Sequence, residues 1–428
     1  MKKKLIALGA LFAICLSLLA TDMVVKQKNG EIKKINVDDV EEVFFEEKAN
    51  IPDDSTVVDA SETLLRFDIS SDSTAEVTGL KIGGVDELII PAKVRIDGKV
   101  YTVTSIKDFA FDTNYLGSVM IPSSITELYD LRISTNFTVS KDNPAFSSLD
   151  GVLYDKEKTK VIKAPEKLKG DFVIPASVTI IQKSAFSDCR DLTSIKIPEG
   201  VTSIGAGAFG GCGSLTSIKI PEGVTSIGAE AFSGCGMLEP KLLVYDKGTK
   251  CYGWIGNNEK CIEVVIPEGV TSIGEAAFEN CINLTSINVP EGVTNIGAEA
   301  FYGCFSLANI NIPEGVTSIG AFVFRHCNSL ARVDIPAKVT IIGNWAFSDC
   351  GGLTSINIPE GVTSIGNSAF YHCGGLTSIK IPEGVTSIGT EAFCGCSNLD
   401  VTIDNSKDNV EVGKNAFGEC KSVTWLKD

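Results

Sequence analysis

The sequence predicts a mainly β solenoid in which short parallel strands stack coil upon coil. Three observations carry this reading. A unit recurs every 23 residues, with copies opening at Ile174, Ile197, Ile220, Ile266, Val289, Ile312, Ile335, Ile358 and Ile381. Within a unit, apolar residues two apart, such as Ile218 and Ile220, alternate with polar ones, which is the spacing of a strand with one dry face. One Phe and one Cys return at fixed phase in nearly every copy. A chain of 428 residues would otherwise suggest two to four ordinary domains, but repeat arrays grow by stacking and escape that count.

The unit can be read residue by residue. Residues 197–219 run IPEGVTSIGAGAFGGCGSLTSIK. Across its end and into the next copy, Leu215, Ile218 and Ile220 give L-x-x-I-x-I, the strand signature of a leucine-rich repeat. Ser217 and Lys219 then face the other side. Pro221 removes a backbone donor and ends the strand, and Glu222-Gly223 turns the chain. Val224 and Ile227 bring apolar side chains back inward, Gly228 supports a second bend, Phe232 fills the coil and Cys235 closes it. One such coil cannot bury its apolar face; stacked coils bury each other's. The fold class is therefore a leucine-rich repeat solenoid. Its ten coils from Ile174 to about Ile403 would span roughly 50 Å at about 4.8 Å each. The ten phenylalanines at one repeat position, from Phe186 to Phe417, should form one internal stack.

The remaining elements follow in chain order. Residues 1–20 read as an export signal: Lys2, Lys3 and Lys4 precede an apolar run over 5–19, and Ala20 suits a cleavage site. That run is short for a membrane span of about 20 residues. Lipidation at Cys15 is disfavoured because bulky Ile14 precedes it. Residues 21–48 read as a short β-rich module with Asn29-Gly30 as a hairpin turn. Residues 49–89 supply a linker and an N-terminal cap, which a solenoid needs over its first open edge. Residues 90–173 hold divergent repeats, 174–403 the regular array with one divergent slot at 243–265, and 404–428 a C-terminal cap. No later segment is long and apolar enough to cross a membrane.

The motif I-P-E-G-V-T-S-I-G-x-x-A-F-x-x-C-x-x-L-T-S-I-x resembles the BspA-like, or Treponema-type, leucine-rich repeat family. The match covers about residue 90 to the C-terminus. Upstream copies resemble it less closely. Val103 to Phe111 look like a first repeat interrupted by a hairpin over 95–101, and Asn143-Pro144 to Tyr154 look like the family's variant unit. The 21–48 module looks like one common on exported Bacteroidetes proteins. The resemblance implies a bacterial surface or secreted protein with an adhesin-like role toward an extracellular protein, such as a host matrix protein.

Chemistry is sparse. A formal net charge of -16 argues against nucleic acid and against a polybasic membrane patch. Ten cysteines recur at one repeat position and read as buried thiols, while Cys251 and Cys261 are the best disulfide candidates. His326 and His372 lie two coils apart, roughly 10 Å, too far to share one metal. The recurring glutamates of the P-E-G turn read as solvated. No Ser-His-Asp set, phosphate loop or zinc cluster stands out, so neither catalytic nor metal-binding residues nor a cofactor are expected. Near-identical coils suit a scaffold better than an active site, which needs distinct residues converging once.

The best candidate surface is the outer side of the strand ladder, since solenoids present such rows for binding. Its least uniform stretch holds Asn288, Asn309, Asn311, Arg332, Asp334 and Asn357, with Tyr302, Phe305, Arg325 and Trp345 nearby in sequence. The expectation is a non-enzymatic exported protein that docks a protein ligand through these rows. A glycan ligand, held by the asparagines and by Tyr302, Tyr371 and Trp345, is the alternative, and a spacer without a ligand is the third.

Overall fold

In each coil the sequence L-T-S-I-K turns Leu and Ile inward and Ser and Lys outward, so a strand with one dry face forms. In the computed structural model these strands pair parallel and in register: Ser194 with Ser217, Ile195 with Ile218, Lys196 with Lys219. The structure describes residues 54–82, 85–111, 116–129, 131 and 135–428, and only the backbone of four strands between Lys3 and Glu46. Apart from those backbone strands, the export signal expected over 1–20, the Asn29-Gly30 turn and the start of the linker lie outside the described residues.

About 14 coils follow one another, and no α-helix occurs among the described residues. The main ladder starts with Val85–Ile89, Leu116–Ile121 and Asn136–Val139. It ends with Ser378–Ile381, Asp400–Ile403 and Ser422–Trp425, so residues 404–428 add a further coil to the same ladder. A second ladder of two-residue strands, such as Ser203–Ile204 beside Ser226–Ile227, forms where V-T-S-I turns Ile inward. At the N-terminal end of the array, Val57–Asp59, Lys93–Ile96, Lys99–Ile106, Thr74–Leu80 and Leu65–Ile69 lie side by side in one sheet. Lys93–Ile96 and Lys99–Ile106 form the hairpin expected there, turning at Asp97-Gly98.

The third side of each coil is a turn, not a strand. It too is bonded coil to coil: Phe324 N–H donates to Ala346 O at 2.8 Å and His326 N–H to Ser348 O at 2.9 Å. Each regular turn holds two residues in the left-handed region. At the first stand Glu299, Phe322, Trp345, Ser368 and Glu391; at the second stand Gly303, His326, Asp349, His372 and Gly395. The sharp bend before the turn needs glycine for closeness: a Cβ on Gly228 would lie 2.3 Å from Ala206 N of the neighbouring coil.

The phenylalanine stack differs from expectation. Phe186, Phe209 and Phe232 stack with centroids 5.3 and 5.5 Å apart. Phe232 then meets Tyr252 edge-on at 5.8 Å, and a second run continues from Phe278 to Phe417. The divergent slot causes the break. There the chain spends its length on an antiparallel hairpin, Lys241–Tyr245 with Lys250–Ile255. Tyr252 stands where a stacked ring would be. The buried core divides at the same strand: Tyr252 and Ile255 pack upstream, Cys251 and Cys261 downstream.

The cysteines among the described residues are free thiols, including the disulfide candidates Cys251 and Cys261. Cys251 faces the downstream core from its strand, and Cys261 takes the ladder position beside Cys281. The thiols are also more than apolar filler. Cys350 Sγ donates to Phe324 O at 3.0 Å, and Cys327, Cys373 and Cys396 make the same bond to the Phe of the preceding coil. Burial pushes the Cys350 and Cys396 thiols up to about 12, which keeps them protonated donors.

Candidate functional site

The expected row sits on the outer face of the main ladder. Asn309, Arg332 and Ser355 lie side by side, as do Asn311, Asp334 and Asn357, while Ile310, Val333 and Ile356 point into the core between them. Asn288 stands one coil earlier, opposite the exposed Val265. All six candidate residues are exposed. Their polarity is partly spent inside the row. Arg332 donates from Nε and Nη2 to Asp334 Oδ1 at 3.1 and 2.9 Å, and Asn311 Nδ2 donates to Glu291 Oε1 at 3.3 Å. Exposed pairs of this kind contribute little to stability and leave the side chains free to exchange partners.

The aromatics expected near this row do not join it. Tyr302, Phe322, Arg325, Trp345 and Tyr371 belong to the turn side, which in each coil follows the second-ladder strand and precedes the next main-ladder strand. There they converge. Trp345 lies flat on Phe322, centroids 6.3 Å apart, and meets Tyr371 at 5.7 Å. The Arg325 guanidinium sits 4.7 Å from the Trp345 centroid, 5.7 Å from Phe322 and 5.9 Å from Tyr302, so three rings surround one cation. Asp349 follows Trp345 within the same coil. Its Oδ2 lies 3.8 Å from Arg325 Nε and 3.6 Å from His326 Nδ1, and its Oδ1 lies 3.6 Å from His372 Nδ1.

Reading the histidines alone missed this arrangement. The signal was present: residues 326, 349 and 372 are successive at a spacing of 23, so a carboxylate stands in the column between the two imidazoles. Phe322 and Trp345 share a column in the same way, as do Tyr302 and Arg325. Ser348, His326 and Asp349 are the three residue types of a nucleophilic triad, but they are wired differently. The buried Ser348 hydroxyl donates to Asp349 Oδ2 at 2.8 Å, so the carboxylate rather than an imidazole takes its proton. Such a serine is not activated for attack.

An acidic strip flanks the aromatics upstream. Burial raises Glu279 and Glu299 above the ordinary carboxylate range, helped by the like charges of Glu230 and Glu299 at Glu279 and of Glu275 and Glu230 at Glu299. None of these four carboxylates pairs with a cation among the described residues. Nor does any helix among the described residues have the length and apolarity to cross a membrane.

Comparison with known proteins bears on the whole array. The family model for the BspA type leucine-rich repeat region matches in six copies over residues 166–243, 255–374 and 363–427. No curated protein matches. Among solved structures, a leucine-rich cell surface protein from Faecalibacterium prausnitzii is 25% identical over 81% of this chain and 94% of its own, with a TM-score of 0.41. A leucine-rich repeat protein from Bacteroides ovatus is 26% identical over 83% and 91%, at 0.40. The leucine-rich repeat protein of T. pallidum is 32% identical over 42% and 86%, at 0.38.

Proposed function

The chain belongs to the BspA-type leucine-rich repeat family, and on that premise we propose an exported binding protein that docks a protein ligand through the outer face of its main ladder. It makes no covalent change in that ligand. The observation that carries this reading is the row itself. Over three adjacent coils the inward positions stay Ile, Val and Ile, while the outward ones change from Asn to Arg to Ser and from Asn to Asp to Asn. The scaffold is held constant and the solvent-facing letters vary, as a binding face on a repeat array requires. Export rests on the basic and apolar leader over 1–20.

A binding screen tests the proposal. The full chain is immobilised and panels of extracellular matrix proteins and of glycans are passed over it. The expected result is saturable binding to a protein, weakened by salt and lost when Asn311, Arg332 and Asp334 are changed together to Ala. Binding only to glycans, or protein binding that survives the triple change, overturns it.

A further inference from the structure

The turn side holds one charged group that the protein itself leaves unsatisfied. The Arg325 side chain carries five N–H donors and makes no hydrogen bond among the described residues; its Nε is buried without a hydrogen-bond partner. Its nearest anion, Asp349, stops at 3.8 Å and is already engaged by the Ser348 hydroxyl and flanked by two imidazoles. The guanidinium is held in place by rings, not by acceptors. At Nε the cation has lost water without gaining an acceptor, while its outer nitrogens are not buried and can donate in parallel to a planar carboxylate.

The backbone gives independent support. Phe322 and Trp345 hold φ of +58°, a region that bulky side chains rarely adopt and that costs of order 1–3 kcal/mol. Other regular coils place Gly, Ser, Ala, Glu or Asn in that column, and the first, irregular repeat places Phe109 there at φ +61°. The left-handed conformation belongs to every regular turn, and this cage sets two large rings where it suits them least.

We propose that the Arg325 cage is a docking site for an acidic side chain, Asp or Glu, of a protein partner, with the rims of Tyr302, Phe322 and Trp345 receiving the apolar residues beside it. This deepens the protein-binding reading and adds a second face to it. Charge complementarity selects the carboxylate. A sugar is disfavoured because Trp345 already has Phe322, Arg325 and the tilted Tyr371 ring within contact distance. Trp, Tyr and Arg clustered in this way are also the residue types that dominate protein interfaces.

The test uses the full chain and small probes, so it does not depend on finding the natural partner. The Arg325 Nε–Hε and Trp345 indole resonances are followed during titration with acetyl-Phe-Glu-Phe-amide, with its Gln counterpart, and with N-acetylneuraminate. The expected result is a saturable shift with the Glu peptide and affinity about tenfold lower or more for the Gln peptide, the size of one charge-assisted hydrogen bond. The shift should vanish in Arg325→Lys, which keeps the charge but loses the planar fork. It should persist in Arg332→Ala, so failure of the ladder reading and failure of this one are separable. Equal response to Glu and Gln peptides, response to N-acetylneuraminate alone, or no shift with any probe overturns the proposal.

Discussion

Trp345 lies flat against Phe322, ring planes 6° apart, although both residues hold the left-handed backbone conformation that large side chains avoid. Two effects oppose each other there. Left-handed backbone costs a non-glycine residue roughly 1–2 kcal/mol, and an aromatic pair returns about 0.5–1.5 kcal/mol beyond its buried area. Glu391 has the same backbone, at φ +56°, with no ring to gain from it. Changing Glu391 to Gly should therefore leave the melting temperature level or raise it, while Trp345→Gly should lower it. Thermal unfolding of the two variants decides the matter; a rise in both would mean the aromatic contacts contribute nothing.

The two raised carboxylates give stability a pH dependence of defined sign. Glu279 and Glu299 bind protons more tightly folded than unfolded, because burial and neighbouring carboxylates disfavour their charge. A raised carboxylate costs stability above its folded pKa, and the cost disappears as pH falls below its unfolded value. Glu279→Gln should therefore raise the melting temperature at pH 7, with the gain shrinking as the solution is acidified. Near the C-terminus the sign reverses. Bonds from Lys421 and Lys380 hold Asp400 and Asp404 below the ordinary range, so Asp400→Asn should cost stability at neutral pH and nothing at strongly acidic pH. Melting curves of both variants across the acid range test the pair of signs together.

The thiols should divide by depth. Cys327, Cys350 and Cys373 are fully buried, and burial keeps their protons on, whereas Cys394 and Cys420 are partly exposed. Only the thiolate reacts readily with alkylating agents. Native chain treated with a maleimide at neutral pH should take label at Cys394 and Cys420 first, and the buried ladder should react only on unfolding. Peptide mapping after brief labelling reads this directly. Early label at Cys350 would mean the coils open far more often than their packing implies.

How much of this was legible in the sequence follows from the range of each interaction. The register was, because Ile218 and Ile220 allow one dry face and the 23-residue period places Ile195 beside Ile218. The phenylalanine stack was legible wherever the period held and failed at Tyr252, where a hairpin replaced a coil. The thiol bonds were not. A cysteine in a repeat looks like a small apolar residue until the carbonyl of a Phe 26 residues earlier is seen within reach. The turn-side cage was half legible: its columns are visible in the spacing, but nothing in the letters says that Arg325 reaches over the ring of the next coil.

The division of the core makes a prediction about cooperativity. In a solenoid each coil is stabilised by its neighbours, so a weak contact between two coils divides the array into blocks that can unfold separately. The strand Lys250–Ile255 is such a contact. Its Tyr252 and Ile255 serve the upstream core and its Cys251 the downstream one, and no stacked ring bridges them. At Gly253 the backbone holds φ of +125° and passes so close to the next coil that an added Cβ would lie 1.7 Å from Ala277 O. Gly253→Ala must push that coil away, weakening the joint and little else. Its unfolding in denaturant should then split into two transitions, with amide exchange quickening around 241–255 and staying slow around Phe347. A single transition, shifted as a whole, would show that the two blocks are coupled through the ladders outside the core and that the divided stack has no energetic consequence.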